Sequence, residues 1–295
     1  MTINLAYFYL LSPLHTGGTS QEGNVVGIAR EIHTDFPYLP SSTIRGRLRA
    51  ATPESQRSQL WGNTLEDITQ PQAANSPEGE SKTETRETNL TQGELWVGDG
   101  SLLWFPISSL SHGVVWVTSP FLLRRWLRTY ATPSYSLPAL NSFSFGNHQD
   151  LYLRDAIFPA KTLHPFEEWQ QYIPQGSPET ETISQVLVLD NRDCSVLIQS
   201  SLWRQVKVKL DSNKTVEGGF RYEEAIPPET VMYFPFGRTV AANGKPETSL
   251  QTLQTLLSQN QQEQTPWQFG GQESLGRGLV ELWTAPTPLA QNQSS

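Results

Sequence analysis

HTGGTSQEGNVVGIAREIHTDFPYLPSSTIRGRLR, residues 15 to 49, is the stretch around which the rest of the chain is arranged. It opens on the glycine pair Gly17 and Gly18, directly after a short apolar run, and closes on Arg45, Arg47 and Arg49 behind the Ser41 and Ser42 pair. The second half reads as a helix N-terminus built to meet an anion. Ser41 or Ser42 is placed to accept from a free backbone N–H, and Gly46 leaves room for another chain or a phosphate backbone. Free N–H groups, the positive end of the helix dipole and guanidinium groups all favour phosphate. A capped surface helix with solvated arginines has the same residues, and one motif does not separate the two.

Outward from this stretch, INLAYFYLL (3 to 11) suits a buried strand that stops at Pro13. Residues 15 to 40 lack a helical period and read as a long loop, a length that is usually functional. The helix from Ser42 runs toward Leu60 or Trp61, with Pro53 ending or kinking it. Residues 64 to 94 are polar and acidic, with little apolar surface to offset ordering, and are expected to form a mobile surface insertion.

The chain has 295 residues, enough for one large domain with insertions, and a single domain over 1 to 295 is expected. Its formal charge of −8 argues against a uniformly basic polyanion binder, but basic residues cluster at 45 to 49, 124 to 128 and 204 to 209. A local stripe of this kind is what nucleic acid requires. The lone Cys194 excludes an internal disulfide and a thiolate zinc site. With no signal peptide or bilayer-length apolar run, the cytoplasm is the expected location, and no membrane partner is expected.

Farther on, 102 to 108 and 113 to 119 read as a β-hairpin, followed by a helix over 119 to 130 with Ser119 as cap and Pro120 at its first position. Its apolar face is Leu123, Trp126, Leu127 and Tyr130, which leaves Arg124, Arg125 and Arg128 pointing away from the core. Residues 131 to 182 give no period and are taken as a second insertion. Residues 186 to 190 and 204 to 210 read as strands, and 204 to 223 as a projecting hairpin faced by Lys207 and Lys209. That face suits either a phosphate backbone or a protected sheet edge. A strand at 228 to 236, an amphipathic helix at 249 to 259 and the loop holding Gly270, Gly271, Gly276, Arg277 and Gly278 complete the chain before the strand LVELW.

The order strand, helix, hairpin, helix, glycine loop, strand predicts an α+β fold with a ferredoxin-like, RRM-like core, large insertions and a thumb-like hairpin. Which two central strands pair stays open between 102 to 119, 186 to 190 and 228 to 236. PLHTGG, IAREIHTDFPYLPSSTIRGRLR, FPISSLSHGVVWVTSPFLLRR, YEEAIPPETVMY and FGGQESLGRGLVEL fall in order between residue 11 and residue 282. Together they resemble the backbone subunits of type III-B CRISPR effector complexes, the fourth-subunit family of the Cmr module in the RAMP superfamily.

That resemblance implies an antiviral subunit stacking head to tail along a CRISPR RNA, with the guide pairing to target RNA and other effector subunits as partners. It assigns guide contact to Arg45, Gly46 and Arg49 first. Ser41, Ser42, His15, Gly17, Gly18, Lys207, Lys209, Gly270, Gly271, Gly276 and Arg277 are added as RNA-binding residues. His15 is equally read as a histidine that fixes its own loop. The family cuts target RNA with a divalent cation held by an aspartate six residues before the acid of the Arg30–Glu31 pair. That position is Val25, beside Asn24, and Glu22 is the nearby carboxylate. Cleavage is therefore expected to be weak or absent, with Mg²⁺ or another divalent cation needed only if it is retained. An active endoribonuclease is the alternative, and a carbohydrate-binding β module, suggested by nine tryptophans, is a remote one.

Overall fold

Strand β1 (Asn4–Leu10) is apolar at almost every position because both of its faces are covered. Ala6, Phe8 and Leu10 enter one core while Leu5, Tyr7 and Tyr9 enter another. The alternation that marks a half-exposed strand is therefore missing. The computed structural model describes residues 3–18, 21–22, 24–63, 91–130, 136–146, 148–240, 248–263 and 265–285.

Within the long loop lie the two-residue strands β2 (Gln21–Glu22) and β3 (Val25–Val26). Helix α1 (Ser41–Ala51) and helix α2 (Glu54–Trp61) follow, separated at Pro53 as its missing N–H requires. Strand β4 (Leu95–Val97) precedes the hairpin of β5 (Ser101–Ser109) and β6 (Gly113–Thr118), which leads into α3 (Pro120–Tyr130). Next come β7 (Ser142–Phe143), β8 (Leu151–Tyr152), β9 (Ile157–Phe158), β10 (His164–Pro165) and the one-turn helix α4 (Pro178–Glu181). Strand β11 (Val186–Val188) and helix α5 (Asn191–Ser200) lead to the projecting hairpin of β12 (Trp203–Leu210) and β13 (Val216–Ala225). Strand β14 (Val231–Arg238), helix α6 (Thr248–Glu263), β15 (Trp267–Gln268) and β16 (Leu279–Thr284) end the described chain.

The main sheet runs β10, β7, β11, β6, β5, β14, β1, β16, β15, with β4 also paired to β14. Strand β1 is antiparallel to both β14 and β16. The pairing left open by the sequence is thus taken by 231–238, while β11 lies parallel to β6 farther out. Ile44 and Leu48 of α1, Leu60 and Trp61 of α2, Leu197 and Ile198 of α5, and Leu253 and Leu257 of α6 cover one face. Leu123 and Trp126 of α3, with Tyr172, Ile173 and Ile183, cover the other. These helices do not fit the all-β alternative.

Residues 136–183, which carry no period, build that second cover. Trp104 donates to the Tyr172 carbonyl at 2.9 Å and Trp283 to that of Gln175 at 3.0 Å. The 64–94 insertion falls largely outside the described residues; of its end, Glu94 is buried and hydrogen-bonded to Gln59 and Ser249. Helix α5 has no counterpart in the sequence reading, although Asp190 caps it by accepting from the Arg192 N–H at 2.9 Å.

Phe8 is fully buried between Phe234 and Phe269, with ring centroids 5.1 Å from each. Phe8→Ala is expected to cost about 3–5 kcal/mol in denaturant unfolding, and a loss under about 1 kcal/mol would contradict this packing.

Candidate nucleic-acid interface

The two glycine-bearing stretches that lie far apart in sequence meet at His15. Its carbonyl accepts from the Gly271 N–H at 2.9 Å, and the Pro13 carbonyl accepts from Gly278 at 2.9 Å. Gly270 has φ +81°, and a Cβ there would fall 2.4 Å from the His15 oxygen, so the approach needs glycine. The His15 side chain is buried, and its Nδ1 lies 2.9 Å from the Glu224 carbonyl. A carbonyl only accepts, so Nδ1 carries the proton, and the ring fixes the loop against the hairpin. Gly17 and Gly18 continue this loop, and Gly18 runs close to the returning Gly27 backbone.

At the root of the hairpin, Glu223 and Glu224 are 0% and 4% exposed. Buried carboxylates demand partners, and five cations supply them. Glu224 pairs with Arg30 at 2.6 Å and Arg204 at 3.0 Å. Glu223 pairs with Lys207 at 2.7 Å, Arg221 at 2.9 Å and Arg277 at 3.6 Å. Successive strand residues face opposite ways: on the Glu224 side Arg30 also lies 4.0 Å from Asp35, so two cations balance two carboxylates, while on the Glu223 side three cations meet one carboxylate and leave a surplus of two positive charges. Burial pushes the Glu223 carboxyl up, but the Lys207 and Arg221 hydrogen bonds and charges outweigh it and hold the group below the ordinary glutamate value.

Beside this cluster an open cleft of about 530 Å³ is lined by Val25, Gly27, Arg30, Glu31, Ile32, Asp35, Arg204 and Glu224. Strand β3 forms its floor: Val25 pairs with Tyr222 and Val26 with Glu223, parallel to β13. Arg125 makes a two-point contact with Glu31, one arm at 2.9 Å, and lies over the Phe121 ring at 4.7 Å. Burial raises the Glu31 carboxyl, yet hydrogen bonds from Arg125 and Thr34 and the Arg125 charge leave it below its ordinary value.

A divalent cation needs free carboxylates. Val25 offers no oxygen, Glu31 and Glu224 are already bound by arginines, and the exposed Asn24 is neutral. The Glu22 backbone pairs with Val25, but its side chain lies outside the described set. Among the described residues no group of three or more His, Cys, Asp or Glu is arranged to hold a metal. Of the described carboxylates lining the cleft, only Asp35, 62% exposed and 4.0 Å from Arg30, is left without a close arginine partner, and one carboxylate is a poor site for that ion.

Several expected contacts are placed otherwise. Neither Ser41 nor Ser42 caps α1 with its side chain: Pro40 occupies the cap, and the Asp99 carboxylate accepts from the Ser41 N–H at 2.6 Å. Arg45 donates to the Trp61 carbonyl, and Arg49 donates to the carbonyls of Arg57 at 3.2 Å and Gly62 at 2.5 Å. Both therefore satisfy carbonyls left open at the end of α2. Burial and the neighbouring Arg49 also lower the Arg45 pKa. Arg47 stands over the Trp267 ring at 5.9 Å, which brings α1 beside the strand leading to Gly270.

Arg277 is 4% exposed and donates to Gln205 at 2.9 Å, so it organises the interior. Gly276, with φ +71°, ends the short turn before it. Arg125 turns inward rather than to solvent. Lys207 and Lys209 share a face as expected, but each is ion-paired, Lys209 to Glu217 at 2.8 Å. Val206 and Val208, opposite Tyr222 and Phe220, form an exposed apolar face on the other side. Arg204 belongs to the basic cluster at 204 to 209 and Arg30 to the Arg30–Glu31 pair, but their joint partner Glu224, like Glu223 and Arg221, is not marked by any motif; the doubled acid in YEEAIPP, flanked by basic strands, is the available signal.

The model of the RAMP superfamily matches residues 7–281. The chain is 23% identical to the CRISPR system Cmr endoribonuclease Cmr4 of Pyrococcus furiosus, over 96% of this chain and 95% of that protein. Among solved structures, oligomeric Cmr4 from Pyrococcus furiosus superposes with a TM-score of 0.64 at 19% identity, covering 97% of this chain and 98% of that one. A chain of the type III-B Cmr-beta complex bound to cognate target RNA gives 0.64 at 17% identity, covering 96% and 97%. No helix among the described residues is long and apolar enough to cross a membrane.

The lowered Glu31 and Glu223 values carry a pH signature. Their stabilisation is fully present above the ordinary value of 4.5 and is lost as pH falls through the lower folded values. The thermal midpoint is expected to stay level from about pH 8 to 5 and to drop below about 4.5, less steeply in Glu31→Gln. Equal acid sensitivity of the variant and the parent would contradict the assignment.

Proposed function

This chain belongs to the RAMP superfamily, and from that membership we propose that it is the CRISPR RNA-binding backbone subunit of a type III-B or variant effector complex. In this reading copies stack head to tail along the guide, other effector subunits join the assembly, and target RNA pairs with the guide. The place of action is the cytoplasm. The observation that carries the reading is the convergence of the His15 loop, the Gly270–Gly278 loop and the hairpin root, where five cations outnumber Glu223, Glu224 and Asp35 by two. A strand of phosphates meets such a seam favourably whatever its base sequence.

The core is read as a ferredoxin-like unit. The order β16, β1, β14, β4, all antiparallel, with α1 between β1 and β4 and α6 between β14 and β16, supports it. The β12–β13 hairpin is the thumb, and its exposed Val206, Val208, Phe220 and Tyr222 give it an apolar face suited to displacing a base. Gly46 supports contact at α1. A Cβ there would meet nothing within 4 Å, so no packing among the described residues calls for glycine in mid-helix. Close approach of the RNA backbone does.

Target cutting is weakened or absent in this reading, because Val25 stands where the family's aspartate would be and, among the described residues, no three metal-ligating side chains converge there. Val25→Asp is expected to confer or raise Mg²⁺-dependent, chelator-sensitive cutting of matched target RNA by the assembled complex. Efficient cutting by the unaltered chain that Glu22→Ala abolishes would instead favour the active endoribonuclease. Gly46→Ala is expected to stabilise the helix by about 0.5–1 kcal/mol while weakening RNA binding. Unchanged RNA affinity would contradict contact at α1. The assembled complex should protect guide RNA at a regular interval, and a footprint without periodicity would overturn the stacking.

A further inference from the structure

The Glu223–Glu224 pair has a consequence for selectivity that RNA contact alone does not require. Each carboxylate is inaccessible to an RNA strand, yet four of the five cationic partners are not: Arg204 and Arg221 side chains are 54% and 59% exposed, and Arg30 and Lys207 are partly so, with only Arg277 buried. These groups are bonded to carboxylate oxygens at 2.6 to 3.0 Å, the geometry in which they would meet phosphate oxygens. Left unpaired, these four cations, two beside each carboxylate, would attract any polyanion, and single-strand affinity would rise with every phosphate neutralised.

We propose that Glu223 and Glu224 are specificity-determining residues that stand in for phosphate inside the free protein. They hold the seam's cations in position and neutralise part of their charge. Casual RNA meets a weakened field, and an extended strand that touches several sites at once, the His15 loop, α1 and the hairpin, is still held. The idea rests on the RNA-binding reading above. It assigns the pair a role distinct from folding, because the carboxylate charge, not its shape, does the filtering. Gln conserves the shape and removes the charge, whereas Asp conserves the charge and shortens the arm.

Glu223→Gln, Glu224→Gln and the matching Asp variants of the full chain are compared by fluorescence anisotropy on a labelled random-sequence single-stranded RNA across a salt series. Melting curves are recorded alongside. Each Gln variant is expected to bind the random RNA more tightly, by about fivefold at 0.1 M salt for one additional phosphate neutralised, with a log–log salt slope steeper by about 0.7. The Asp variants should keep the parental slope even where their melting temperature falls. Gln variants whose affinity and slope match the parent, or fall below it, overturn the proposal. So do Gln variants that no longer fold, because they assign the pair to folding alone. A parent chain that binds no RNA, alone or assembled, contradicts the functional reading itself.

Discussion

Two neighbouring carboxylates, Glu223 and Glu224, lose their water where the hairpin enters the body of the protein, and that loss is tolerable only if cations replace the water. The requirement reaches across the fold. Arg30 comes from the long first loop, Arg204 and Lys207 from β12, Arg221 from β13 and Arg277 from the C-terminal glycine stretch. The backbone of Glu224 also receives His15. One buried pair thus sets how the first loop, the hairpin and the last loop meet, and the cations exceed the anions. A basic seam on an acidic chain follows from how the interior is neutralised, and the overall charge of −8 does not contradict it.

The same logic governs α1. Arginines at a helix start read as hands held out to phosphate, yet Arg45 and Arg49 first satisfy the open carbonyls of α2, and Asp99 fills the place of an anion at the helix N-terminus. An anion arriving from outside meets groups already positioned by internal acceptors. Such preorganisation lowers the ordering cost of binding, because side chains held in place lose less freedom when a ligand arrives.

Much of the architecture is legible in the residues. The apolar run of β1, the 102–119 hairpin, the Pro120 helix start and the break at Pro53 all rest on local chemistry, and they stand where that chemistry places them. The projecting hairpin is legible too, from alternation and a turn cluster. Helix α5 is not, because its polar first turn hides the period of Cys194, Leu197 and Ile198. Strand β4 is three residues long, below the length at which alternation speaks. The ion-pair cluster is hidden for a different reason: Arg30 and Glu224 lie 194 residues apart, and nothing local in either announces the other. For the same reason the burial of Arg277, expected among the RNA-binding residues, is not legible in its glycine loop.

The central claim is that a single seam, framed by the His15 and Gly270 stretches and walled by α1 and the hairpin root, receives a ribose-phosphate strand. Photo-crosslinking of 4-thiouridine-substituted guide RNA in the assembled complex, with the attached peptides identified by mass spectrometry, tests it most directly. Crosslinks are expected within 13–18, 41–49, 204–222 and 267–278. Crosslinks confined to the far face of the sheet, around Tyr172 and α4, would contradict the account.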